Sequence, residues 1–466
     1  MQSTDANYNI TGDITVAANG TVTHSVNWDV AGKQITLGGS LVVDGLWDYT
    51  VRSHVQMTGA NKTIRTGPAP SSLSILTLAT TSGTINASGL VTIDDNFWAS
   101  FNTAGGTFAT NGQNVIANAG LLNAGGTVNV NGGSLTIAGG LQMGSTATAT
   151  LGGTVNLSSG TLTTDGIILG STTNTVASTL TQTGGTLQVN GDVTINQPAA
   201  NTITNTWNIG AQSATVTGNI SFAGTNTTAT RVGKIIITTG SLNANGGISF
   251  SGTTAATKVI DMSTGGGTGT LNLKGAISGT SGATLTAGTA GSTFNYADNS
   301  GSQTVNMFGA GAYNILAINT TGGSGATLGA AVTASNVTGN LSVQSGTLNN
   351  GAFAMALASA KNFAVANGAT FNLTGTSTMV TVSGGGVKTF GATSTVNYAG
   401  SAQAVTAESY GNLVLSGSGN KTFAGATTIA NNLAISGTAV ALLPNGSTSS
   451  AITLTLGGVN QSTGSW

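Results

Sequence analysis

The chain has 466 residues, of which 72 are Gly and only 5% are charged, with a formal net charge of -1 and no Cys. A near-zero charge without Lys/Arg clusters gives no electrostatic footprint for nucleic acid or anionic lipid, and the absence of Cys excludes disulfides and thiolate metal sites. With 39% hydrophobic residues and a mean hydropathy of +0.21, the composition is that of a folding chain and not of a disordered one.

The N-terminal stretch is strand-like from about Asn7. Gly12-Asp13-Ile14-Thr15-Val16 returns as Gly39-Ser40-Leu41-Val42-Val43. Met1-Gln2-Ser3-Thr4-Asp5 has neither the basic region nor the apolar core of a signal peptide, so a signal was cut away or the segment is excised. Of the 11 Lys+Arg and 12 Asp+Glu, 11 fall at or before Asp95, together with His24 and His54 and with Trp28 and Trp47; Trp98 follows closely. Terminal coils of a solenoid must cover an open edge, and atypical polar coils do so. Residues 1–70 are therefore expected to form an N-terminal cap or modified first coils. Trp28, Trp47, Arg52, His54 and Trp98 are the candidate contact surface. Pro68-Ala69-Pro70 interrupts the strand pattern and predicts a loop or weak boundary.

From Gly125 a second register appears. Gly126-Thr127-Val128-Asn129-Val130 and Gly153-Thr154-Val155-Asn156-Leu157 are 27 apart, as are Gly133-Ser134-Leu135-Thr136-Ile137 and Gly160-Thr161-Leu162-Thr163. A further series runs through Gly191-Asp192-Val193-Thr194-Ile195, Gly218-Asn219-Ile220-Ser221-Phe222, Gly246-Gly247-Ile248-Ser249-Phe250 and Gly275-Ala276-Ile277-Ser278, at intervals of 27, 28 and 29. Each copy is a Gly turn followed by alternating apolar and small polar residues, the pattern of a short half-buried strand. A strand that returns after a near-constant interval means that the chain winds once per interval. Several registers within one interval predict an all-β, three-sided parallel β-helix with about 27–29 residues per coil. At roughly 4.8 Å per coil, 16 or 17 coils would give a rod on the order of 80 Å long. Antiparallel hairpins, the rival reading of the Asn-Gly turns, would not hold such an interval.

Residues 71–290 are read as solenoid coils, and residues 291–466 as solenoid with a superrepeat of about 100 residues. Phe294-Asn295-Tyr296 and Gly311-Ala312-Tyr313-Asn314-Ile315 are echoed by Val396-Asn397-Tyr398 and Ser409-Tyr410-Gly411-Asn412-Leu413. Tyr313 and Tyr410 each lead into a buried-type strand, so they are expected to plug coil ends. The final stretch, Ala451 to Gly458, alternates apolar and polar residues without charge. Ile452, Leu454 and Leu456 are the candidate assembly edge, an uncapped template for another strand.

Val396-Asn397-Tyr398, Gln403 and Tyr410 to Thr422 resemble the repeats of very large bacterial secreted surface proteins. The Gly-Gly-Thr-Val-Asn-Val coils from Gly125 to Gly185 resemble filamentous-haemagglutinin-like and autotransporter-passenger β-helices. The resemblance covers the chain from about residue 110 and implies export to the bacterial cell surface and a role as adhesin, stalk or matrix fibre. The partners it implies are a surface glycan or protein receptor; the uncapped edge adds the chain itself, joined end to end.

β-Helices also host polysaccharide-cleaving enzymes. Their clefts need converging carboxylates, and the candidates here are Asp94-Asp95 with Asp44, Asp48, Arg52, His54 and Arg65. Adjacent strand residues point to opposite faces, so Asp94 and Asp95 share a face only at a turn. Neither the Gly-His-Gly nor the Arg-x-Lys of polygalacturonase-like proteins is present. Asp165, Asp192, Asp261 and Asp298 stand alone, whereas a hard cation needs several oxygens together. No run approaches the roughly 18 apolar residues of a membrane span. The expectation is a non-enzymatic protein without metal, cofactor or membrane insertion. An ice-binding face would require outward Thr-x-Thr on successive coils, and the adjacent pairs Thr163-Thr164, Thr172-Thr173 and Thr238-Thr239 do not build one.

Overall fold

A computed structural model describes residues 7–24, 27, 32–100, 105–145, 148, 150–321 and 325–462. The chain is an all-β parallel β-solenoid of about 17 turns. It divides into two compact units, residues 1–265 with 282–284, and residues 266–281 with 285–466. Pro68 to Ser72 forms a turn inside the first unit.

Three faces are built in the first unit. One runs from Tyr8–Ile10 through Phe97–Ser100 and Val193–Asn196 to Ile248–Phe250, every pairing parallel. A second runs from Thr84–Ala87 to Lys258–Asp261 and a third from Val91–Ile93 to Ser241–Ala244. The second and third are joined within single strands at Thr127–Ile137 and Thr154–Thr164, which bend at a register shift around Asn131. Gly133 makes that corner with a φ of 66°, and a Cβ there would sit 2.1 Å from the Gln113 carbonyl oxygen. Only Gly fits.

The core consists of ladders of equivalent residues. Ile85, Phe108, Val128, Val155, Leu180, Trp207, Ile235 and Ile260 stack coil on coil, each fully or almost fully buried. Phe222 and Phe250 continue another ladder with rings stacked at 4.8 Å. Each such side chain contributes roughly 1.5–3 kcal/mol by leaving water. Short strands suffice because those inside each ladder are paired on both sides.

The expected coil interval holds for Ile14 on Leu41, Val193 on Ile220 and Ile220 on Ile248. Elsewhere the coil is shorter, for Leu121 pairs with Leu141 and Thr107 with Thr127. Turns absorb the difference, since strand register requires only that like positions meet.

The second unit has its own parallel ladders, Thr270–Leu273 to Lys388–Phe390 and Ser302–Val305 to Ser450–Leu456. Here the superrepeat has a physical basis. Gln303 is buried and donates from Nε2 to the carbonyls of Leu273 and Gly275, while Gln403 is buried and donates to those of Leu373 and Ser377. The Tyr296 and Tyr313 hydroxyls lie 3.0 Å apart, and those of Tyr398 and Tyr410 lie 3.1 Å apart, all four rings buried. Tyr313 and Tyr410 are the aromatic plugs expected. Burial pushes the Tyr296 phenol up to about 12.

Candidate functional site

The sequence-predicted contact residues do not assemble into one outer surface. Trp47 is 1% and His54 2% exposed, both inside the coils and out of reach of a partner. Trp47 falls at an inward position of the strand Leu46–Tyr49. His54 opens the strand His54–Met57, where its Nε2 meets the Thr77 hydroxyl at 2.7 Å and its ring abuts Trp98 edge-on at 5.9 Å. Arg52 pairs with Asp95. Trp98 occupies an outward position and is half-buried. Trp28 lies outside the described residues.

The carboxylates of this region are committed to local partners. Asp94 accepts hydrogen bonds from the Tyr49 hydroxyl at 2.8 Å, from Asn118 at 2.8 Å and from Ser72. Asp44 accepts from Nε and Nη2 of Arg65, at 2.8 and 2.7 Å. Burial, then the Asp94 hydrogen bond, pushes the Tyr49 phenol up to about 12. Burial pushes His24 and His54 down to about 4, and His24 adds a small repulsion at His54. Both imidazoles are thus neutral at pH 7. Neither ring nitrogen of His24 has a hydrogen-bond partner among the described residues, and Trp47 closes on it edge-on at 6.1 Å.

At the other end, the three candidate edge residues separate. Ile452 is 70% and Leu456 41% exposed, but Leu454 is 6% exposed and stacks on Leu433. A register shift between Ile429 and Asn432 on the partner strand lies opposite Ile452. Leu456 is also paired, because Val459–Asn460 folds back antiparallel onto the strand Ser450–Leu456. Val440, Leu442, Leu443 and Val459 are exposed nearby. A cavity of about 590 Å³ opens among Phe423, Ile429, Leu433, Leu443 and Leu454.

One further surface escapes a reading by interval. On the second face of the first unit, Thr84, Thr107, Thr127, Thr154, Thr179 and Thr206 are directly paired, each on the next. Two residues along each strand, a parallel row holds Asn86, Ala109, Asn129, Asn156, Thr181 and Asn208. Both rows point outward, since the residues between them belong to the buried ladder; Ala109, the one small member, is covered by its neighbours. Asn156 donates to Asn129 at 2.9 Å, locking adjacent coils. The six Thr hydroxyls of the first row have no hydrogen-bond partner among the described residues. The signal that marks this surface is the dipeptide Thr-apolar, followed by Asn in four of the six strands, and not a fixed spacing.

Comparison with protein-family models, with curated proteins and with solved structures returned no match. What the chain defines is therefore the class of its fold, a parallel β-solenoid.

Proposed function

We propose that the chain is a non-enzymatic structural protein exposed outside a bacterial cell, its coils serving as an adhesin stalk or a matrix fibre. The observation that supports this reading is where the buried polar groups point. Gln303, Gln403 and Asn205 all donate from their amide nitrogens to backbone carbonyls of neighbouring coils or strands. Such groups reinforce a scaffold that resists local opening. Sparse charge and a surface of Thr, Ser and Asn suit a chemically bland exterior. Immunogold labelling of intact cells of the source organism tests the reading: label on the outer surface supports it, and label confined to the cytoplasm overturns it.

A second reading is favoured by the exposed apolar residues around Ile452 and Val459, which suit self-association through strand pairing. Negative-stain microscopy of the purified chain distinguishes the two, since particles joined end to end support self-association and isolated particles at high concentration count against it.

A further inference from the structure

The two outward rows at Thr84–Thr206 and Asn86–Asn208 form a two-dimensional array. Along the solenoid, neighbours repeat at the strand spacing of about 4.8 Å, and across the strand at about 6.6 Å, twice the rise per residue. Direct register over six coils, with no shift at these positions, keeps the rows straight. Side-chain ladders such as Asn129 to Asn156 are the feature that holds a sheet flat. The array ends where Lys234 and Ile236 take the next places.

Three properties of the array restrict what it can bind. It carries no charge in twelve positions, so nothing in it recruits an ionic ligand or holds a hydration shell around an ion. It carries no aromatic side chain on which a sugar ring would stack, for Trp207 on the same strand points inward and is 1% exposed. Its first row presents a hydroxyl and a methyl at every step, on a β-branched side chain with restricted χ1, and those hydroxyls have no internal partner among the described residues. A rigid array of this kind loses little entropy when it meets a rigid, periodic surface, and six weak contacts then act together.

We propose that this Thr–Asn face binds ice. Rows of oxygen atoms on faces of ice repeat at close to the strand spacing along the solenoid, and ice offers donors and acceptors to the hydroxyls and a cage around the methyls. The adjacent pairs Thr163-Thr164, Thr172-Thr173 and Thr238-Thr239 take no part in these two rows; outward Thr-x-Thr, the pattern expected of such a face, occurs at Thr179 and Thr181, while Asn or Ala109 takes the second place on the other strands, so the Thr row carries the proposal. The inference stands on the first unit alone and does not depend on where the protein is located or on whether it self-associates.

The test is ice-affinity partitioning and thermal hysteresis of the full chain, with Thr127→Tyr and Thr154→Tyr on the array and Ser221→Tyr on another face, folding being checked by circular dichroism. The expected result is enrichment in the ice fraction and measurable hysteresis, both lost in the two array variants and kept in Ser221→Tyr. Absence of hysteresis and enrichment in the wild-type chain would overturn the proposal, as would activity unchanged in both array variants. Pull-down on crystalline cellulose is run beside it: binding there that the array variants abolish, without an ice effect, would overturn ice as the ligand and transfer the face to a neutral glycan.

Discussion

Lys421 directs its ammonium group at the Gln403 side-chain oxygen, 2.7 Å away, inside the second unit. The two residues are register partners on parallel strands, Gln403–Val405 and Ser418–Phe423, and both are buried. Lys421 also donates to the carbonyls of Gly400 at 2.8 Å and Ser401 at 2.6 Å. A buried ammonium is costly, and desolvation lowers its pKa, but three acceptors and the glutamine dipole hold it in place. Gln403 in turn accepts from the Gly400 N–H, so one cluster pins three coils. Lys421→Met should cost about 3 kcal/mol by leaving those acceptors unsatisfied. Hydrogen exchange should localise the loss to residues around 373–423, and unchanged protection there would refute the clamp.

The first coils should be acid-sensitive. His24 and His54 are held near 4 in the folded chain, against 6.5 unperturbed. Between those values the unfolded chain binds more protons, so stability is fully present above about pH 6.5 and falls as the pH drops toward 4. The loss is up to about 3 kcal/mol for each imidazole. Thermal unfolding followed by Trp47 emission should show the decline across that window. His24→Leu should roughly halve it, His54 supplying the rest, while leaving stability at pH 7 intact, because the His24 ring makes no hydrogen bond among the described residues that would be lost.

The tyrosine plugs predict the opposite limb. Tyr296 is raised to about 12 from its usual 10.0, and burial also raises Tyr313, Tyr398 and Tyr410. Above pH 10 the unfolded chain loses phenolic protons that the folded chain keeps, so stability should fall as the pH rises from 10 toward 12. Tyr410→Phe removes a hydroxyl that donates to the Thr406 carbonyl at 2.9 Å, at a cost of about 1 kcal/mol. Tyr410→Ala opens a cavity and should cost about 3–5 kcal/mol. Equal effects of the two substitutions in chemical denaturation would show that the ring packs nothing.

Some of this is legible in the amino-acid order and some is not, for physical reasons. Winding shows because Gly-led strands such as Val193–Asn196 and Ile220–Ala223 recur with alternation intact. Tyr313 and Tyr410 show because each precedes an apolar strand. The Thr array does not show, because the turn between Thr107 and its partner Thr127 is shorter than the one between Thr127 and its partner Thr154. Variable turns erase a fixed interval even though the register is perfect. Trp47 and His54 mislead for a different reason. Short strands bounded by corners carry too little alternation to tell inside from outside, and aromatic residues among charges resemble a surface.

Gly139 tests how tightly the short coils are wound. A Cβ there would lie 1.2 Å from the Ala119 carbonyl oxygen, on the neighbouring coil. Backbone cannot yield that distance without parting the ladder in which Leu121 pairs with Leu141. Gly139→Ala should therefore destabilise by more than about 2 kcal/mol, well beyond the effect of a surface substitution. Gly112→Ala is the comparison, since a Cβ there meets nothing within 4 Å and only the left-handed φ of 79° opposes it, at about 1 kcal/mol. Urea denaturation of both variants should rank Gly139→Ala as much the worse.

The exposed residues of the last strands make the self-association reading quantitative. No charged side chain occurs after Lys421, so nothing there opposes edge-to-edge pairing in the way that lysines on an edge strand do. Among the described residues Ile452 is the most exposed of the large hydrophobics, and its strand meets Val459–Asn460 on the outer side, paired at Thr455 and Leu456. The Leu454 carbonyl accepts from the Gln461 N–H at 2.8 Å, and among the described residues Ser450 to Thr453 have no strand partner on that side. Sedimentation velocity across a hundredfold range of concentration should show association for the wild-type chain. Ile452→Lys should reduce it strongly with an unchanged circular dichroism spectrum. Leu454→Lys should instead unfold the last coil, because Leu454 is buried against Leu433. A wild-type chain that stays monomeric throughout, or an Ile452→Lys chain that associates equally well, would remove the edge from the account and leave the exposed residues as an uncovered core.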